Sequence, residues 1–82
     1  MAKQKLLTNA LEHLEKGDWQ AAHTIVQNEE SPHACWVHGI VHVMEGDHDN
    51  ARYWYGRAKR TFSDDTAKEI ANAKVSLGGG EE

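Results

Sequence analysis

Three side chains in the middle of the chain are of types that bind metal ions. His38, His42 and Glu45 follow one another at spacings of four and three residues, which places them on one face of a helix. Histidines four residues apart can share a zinc ion, and a carboxylate can add a third ligand. Since the sequence identifies no further ligand, we predict no cofactor. We expect these histidines to pack beside the next helix, with hydrogen bonds to Glu45, Asn50 or Tyr55, and keep a metal site as the alternative.

A thiol and an imidazole lie one helical turn apart at Cys35 and His38. A base at this spacing can activate a nucleophile, but a catalytic cysteine also requires an orienting third group and an oxyanion site. Neither is identifiable in the sequence. We therefore predict a buried structural cysteine and a protein that is not an enzyme.

A second group of candidate residues lies on the segment 48–61, which we predict to be a helix. Its apolar stripe, which should face the core, contains Ala51, Trp54, Tyr55 and Ala58 and continues to Phe62, directly after the segment. Tyr53, Arg57 and Arg60 lie away from that stripe, at positions i, i+4 and i+7. Tyrosine and arginine are frequent anchors of protein interfaces, so we predict a protein-binding face there. The alternative is a solvated face whose basic residues stabilise the helix end.

Composition narrows the possible functions. The chain has 82 residues and a net charge of −4, which indicates one domain and argues against generic binding to nucleic-acid phosphates. No stretch reaches the roughly 20 apolar residues that span a membrane, and we expect no signal peptide in the first residues. The single Cys35 cannot form an internal disulfide. We therefore expect a cytoplasmic protein.

An internal repeat predicts the helices that position these residues. Segment 10–26 aligns with segment 39–55, so that Gly17 and Asp18 match Gly46 and Asp47. Glycine readily adopts the left-handed conformation that ends a helix, and aspartate caps the next one. The repeat therefore predicts two antiparallel helical hairpins, at 3–28 and 32–61.

The remaining boundaries follow from capping residues. Ser31 and Pro32 are typical of a helix start, and Ser63 or Asp64 can cap a final helix. We predict a single all-α domain over residues 1–77 and a flexible tail at 78–82. The helices are predicted at 3–16, 18–28, 32–45, 48–61 and 64–76.

The second unit resembles the tetratricopeptide repeat in the spacing of its small and aromatic residues, which are Gly39, Gly46, Asp47, Ala51, Tyr55 and Ala58. The resemblance implies a right-handed stack of hairpins whose first helices line a peptide-binding groove. On that basis Trp36 joins the predicted protein-binding residues. In the alternative that we prefer, Trp36 lies in the core and is covered by Ile70, Ala73 and Leu77 of the fifth helix.

The same unit is also similar to a group of small bacterial proteins of uncharacterised function. Its matching residues are Trp36, Val37, His38, His42, Glu45, Gly46, Asp47, Asn50, Ala51, Tyr53, Trp54 and Tyr55. This resemblance implies no activity. The function that we predict is a non-catalytic interaction module or small adaptor, which binds a protein or peptide or forms a homodimer. The alternative is a metal- or small-ligand-binding protein that uses His38, His42 and Glu45.

Overall fold

The computed structural model describes residues 2–79 and, within that range, consists of helices joined by short loops without a strand. The predicted all-α class is therefore confirmed. None of these helices is long and apolar enough to cross a membrane. The five helices are α1 (Ala2–Glu15), α2 (Trp19–Val26), α3 (Pro32–Glu45), α4 (His48–Arg57) and α5 (Thr66–Gly79).

The predicted boundaries differ from the structure mainly around the last two helices. α4 ends at Arg57 instead of position 61, and α5 begins at Thr66 and extends to Gly79. Asp65, not Ser63 or Asp64, caps α5, since its carboxylate accepts a hydrogen bond of 3.2 Å from the N–H of Lys68. Positions 78 and 79 of the predicted flexible tail thus belong to α5, while 80–82 lie outside the described residues.

The junction between α3 and α4 has the predicted capping geometry. Gly46 ends α3 in the left-handed region at φ 94°, and the N–H of Asp47 donates to the carbonyl of His42 at 2.9 Å. The Asp47 carboxylate then accepts from the N–H of Asn50 at 3.2 Å and caps α4. The same arrangement joins α1 to α2 around Gly17, at φ 81°. Two residues therefore separate α3 from α4, and three separate α1 from α2.

The end of α4 uses a similar turn without a glycine. Lys59 has a φ of 60°, and it is the one non-glycine residue with a positive φ in the described range. The N–H of Arg60 donates to the carbonyl of Tyr55 at 3.0 Å, a bond that typically closes a helix C-terminus. The chain leaves the helical path here, so Arg60 lies beyond α4.

Helix α3 forms the centre of the molecule, since positions 34–43 are all buried and α3 contacts each of the other four helices. Trp36 is 1% exposed, and its indole N–H donates to Glu69 of α5 at 3.0 Å. Ile70 and Ala73 of α5 belong to the same core. The assignment of Trp36 to a binding surface is therefore wrong, because α5 covers the side of α3 on which it lies.

Helices α3 and α4 approach each other closely at Gly39. A Cβ atom on Gly39 would be 3.3 Å from the carbonyl oxygen of Ala51. α1 also contacts α2, and α2 contacts α3. The tetratricopeptide-like arrangement of these helices remains a prediction.

Candidate functional site

Three imidazole rings come together between α2 and α3. His38 and His42 lie on α3, with ring centroids 4.9 Å apart. His23 of α2 lies 4.9 Å from His38 and 5.4 Å from His42. One nitrogen of each ring can be chosen so that all three lie within 4.8 Å of one another. We call these three residues the histidine cluster.

His23 is the member of the histidine cluster that the sequence did not predict. It directly follows Ala22, a core residue of α2, so a position at the edge of the core could have been inferred from the helix period. Its contacts with His38 and His42 could not have been inferred, because no spacing in the sequence relates a residue of α2 to a face of α3. The contact depends on how the two helices pack.

His38 is the most enclosed member of the cluster, at 4% exposed. Its ring is stacked on the indole of Trp54, with centroids 3.9 Å apart and an angle of 8° between the planes. Its Nδ1 atom is buried and has no hydrogen-bond partner among the described residues. Burial, and then the nearby His42 and His23, lower the pKa of His38 to about 4. The ring is therefore neutral at neutral pH.

His42 is oriented by a carboxylate one turn further along α3. Its Nδ1 atom lies 2.7 Å from Oε1 of Glu45, so the predicted hydrogen bond between these residues is confirmed. A carboxylate on one ring nitrogen orients the ring and fixes which nitrogen is protonated. The Nε2 atom of His42 is thus available to bind another group.

Two residues of the predicted protein-binding face, Tyr53 and Arg57, lie next to each other on α4. Tyr53 is 55% exposed, and the Nη1 atom of Arg57 lies 3.5 Å from its hydroxyl oxygen. The Cζ atom of Arg57 lies 5.9 Å from the centroid of the Tyr53 ring and 5.2 Å from that of Trp54. Arg57 forms no ion pair within the described range. We call Tyr53 and Arg57 the aromatic–arginine pair.

Arg60 does not extend this pair along a helix face. Because α4 ends before it, the side chain of Arg60 lies over the ring of Trp36, with Cζ 3.4 Å from the ring centroid. The predicted stripe of Tyr53, Arg57 and Arg60 is therefore wrong at its third position. Arg60 instead helps to cover the buried indole from solvent.

A polar cleft of about 480 Å³ lies between the end of α4 and α5. Glu69, one of the residues that line it, is buried, and its Oε1 atom accepts from the Trp36 indole at 3.0 Å and from the Tyr55 hydroxyl at 2.8 Å. Burial, together with the bond to Glu69, raises the pKa of Tyr55. Glu69 thus holds α3, α4 and α5 together. The cleft is lined by Lys59, Arg60, Thr61, Phe62, Ser63, Lys68, Glu69 and Asn72.

Cys35 is buried and unpaired, with its sulfur 3.8 Å from the carbonyl oxygen of Glu30. Burial raises the pKa of the thiol, so the less reactive protonated form dominates at neutral pH. This environment is that of a structural cysteine.

Comparison with protein-family models, with curated proteins and with solved structures returned no match. The resemblance to the tetratricopeptide repeat therefore stays a prediction.

Proposed function

We propose that this chain is a non-catalytic interaction module that binds an acidic segment of a partner protein through the aromatic–arginine pair. One observation carries the proposal: the guanidinium group of Arg57 is held beside two aromatic rings, while no carboxylate pairs with it in the described range. Arginine binds carboxylates through two parallel hydrogen bonds. A side chain that is already ordered loses less entropy on binding.

The charge distribution supports an acidic partner. Arg52, Arg57, Lys59 and Arg60 are all exposed, and they lie within nine positions of a chain whose net charge is −4. Arg52 has a carboxylate nearby, Asp49, at 3.5 Å. A local basic surface on an acidic protein orients an acidic partner and increases the association rate.

The state of Cys35 supports a non-catalytic role, because the thiol that the sequence offers as a nucleophile is buried and protonated. A buried cysteine without a disulfide partner also suits a reducing compartment. We therefore place the protein in the cytoplasm as part of this proposal.

Two exposed arginines of α4 provide a matched test. Arg57 forms no ion pair in the described range and interacts with Glu30 only at longer range, whereas Arg52 lies beside Asp49. Purified wild type, Arg57→Ala and Arg52→Ala would each be titrated by calorimetry with a series of acidic peptides that contain one aromatic residue. We expect Arg57→Ala to weaken binding at least about tenfold. Arg52→Ala should weaken binding by less than about fivefold. Equal effects would contradict the proposal.

A second copy of the chain is the other acidic partner to consider. Sedimentation equilibrium of the wild type at low and at physiological salt would detect it. A dimer that Arg57→Ala disrupts would assign the aromatic–arginine pair to self-association instead of to a separate partner. A monomer at both salt concentrations agrees with the proposal.

A further inference from the structure

We propose that His23, His38 and His42 form a binding site for a divalent transition-metal ion, with Zn²⁺ as the preferred ion. The three side chains come from two helices, and a nitrogen of each can lie within 4.8 Å of the others. Three imidazoles are a ligand set that zinc accepts, with water or another group in the fourth position. This site shares no residue with the aromatic–arginine pair, although Trp54 contacts both, so either proposal can fail without the other.

An unsatisfied atom supports the site independently of the spacing. The Nδ1 atom of His38 is buried and lacks a hydrogen-bond partner among residues 2–79, and a buried polar atom without a partner is costly. A metal ion bound within the cluster would give His38 a partner for a ring nitrogen. The close contacts of His38 with the His23 and His42 rings place that side chain at the centre of the cluster.

Glu45 supplies the interaction that commonly accompanies a ligating histidine. Its carboxylate lies 2.7 Å from the Nδ1 atom of His42, which orients the ring and increases the basicity of the opposite nitrogen. We therefore assign Glu45 as a positioning residue, whereas the sequence-based alternative had treated it as a ligand. His23 replaces it as the third ligand.

A second group of possible ligands is formed by His42, Glu45 and Asp47, but both of its carboxylates already have structural partners. Glu45 binds the ring of His42, and Asp47 caps α4 by accepting from the N–H of Asn50. In the histidine cluster, by contrast, the Nδ1 atom of His38 has no hydrogen-bond partner among the described residues. An ion would also reach the cluster from the side of His23, which is partly exposed.

Calorimetric titration of the chelator-treated protein with Zn²⁺ at neutral pH tests the site. We expect one ion per chain, with an affinity reduced at least about tenfold in His23→Ala and roughly 10- to 100-fold in Glu45→Gln. His48→Ala is the matched control, because His48 is exposed and lies outside the cluster. Its affinity should equal that of the wild type.

Zinc X-ray absorption of the wild-type complex adds a readout that does not depend on a variant folding. It should show about three imidazole ligands, and the far-UV circular dichroism of each variant should confirm its helices. The proposal is overturned if the wild type binds no zinc, if absorption shows fewer than two imidazoles, or if His23→Ala and His48→Ala have equal affinity. Loss of binding in Asp47→Ser with retention in His23→Ala would assign the ion to the acidic group instead.

Discussion

Gly39 of α3 lies directly against the ring of Tyr55 on α4, so closely that a Cβ atom on Gly39 would be 2.5 Å from Cδ1 of Tyr55. Two carbon atoms that are not bonded to each other do not come this close in proteins, and the Tyr55 ring is buried. We expect Gly39→Ala to lower the free energy of unfolding by roughly 1–3 kcal/mol, because it overpacks the α3–α4 crossing. Urea denaturation of both proteins measures this difference.

Gly56 is the matched control for this substitution. A Cβ atom there meets nothing within 4 Å, so Gly56→Ala should leave stability unchanged or raise it by roughly 0.4–1 kcal/mol. If the two variants were equally stable, Gly39 would not be the point of closest approach between α3 and α4.

Lys59 is expected to destabilise the native state slightly, since its φ of 60° is unfavourable for a residue with a Cβ atom. Lys59→Gly should increase the free energy of unfolding by about 0.5–1 kcal/mol, after allowance for the greater entropy of glycine in the unfolded chain. Lys59→Ala removes the charge but keeps the strain, and should be within about 0.5 kcal/mol of the wild type. Equal stability of the two variants would argue against a left-handed residue at this position.

Glu69 should be important for stability because it accepts hydrogen bonds from two buried donors, Trp36 and Tyr55. Glu69→Ala leaves both donors unpaired and should cost roughly 2–4 kcal/mol. Glu69→Gln retains a side-chain oxygen that can accept, so its loss should be smaller. Thermal unfolding followed by circular dichroism would compare the stability of the wild type and the two variants. If Glu69→Gln lost more stability than Glu69→Ala, the charge of Glu69 would matter more than its hydrogen bonds.

The stability of the metal-free protein should fall as the pH is lowered. The pKa of His38 is about 4 in the folded chain against an ordinary value of 6.5, so the unfolded chain binds the proton more tightly. The stabilisation is present above pH 6.5 and is lost progressively as the pH falls to 4, by on the order of 3 kcal/mol.

His38→Phe isolates this effect from the titration of carboxylates. It keeps an aromatic ring next to Trp54 but cannot take up a proton. Urea denaturation between pH 7 and pH 4 should therefore show a shallower decline for the variant than for the wild type. Parallel curves would mean that His38 titrates normally and is not held in a neutral, buried state.

Local signals predicted much of this fold. Gly46, Asp47 and Ser31 act through neighbours a few residues away, so their spacing alone indicated where helices end and begin. Lys59 could not be recognised in this way, because lysine carries no local preference for a left-handed turn. The predicted stripe to Arg60 was wrong for that reason.

The candidate sites depended more strongly on tertiary packing. The spacing of Tyr53 and Arg57 predicted their proximity, since positions four apart are neighbours on a helix. The contact of His23 with His38 joins two helices, and the burial of Trp36 depends on α5. Neither could be read from a helix period, which describes one element at a time.

Photo-crosslinking at position 53 tests most directly whether the aromatic–arginine pair binds a partner. A benzophenone amino acid would replace Tyr53 in one variant and Val75 in the other. Both are exposed hydrophobic side chains. Irradiation in the native cell should give a discrete adduct with an acidic protein at position 53 and none at position 75, and Arg57→Ala should abolish it. The proposal would be contradicted by the same adducts at both positions, or by an adduct at position 53 that Arg57→Ala leaves unchanged.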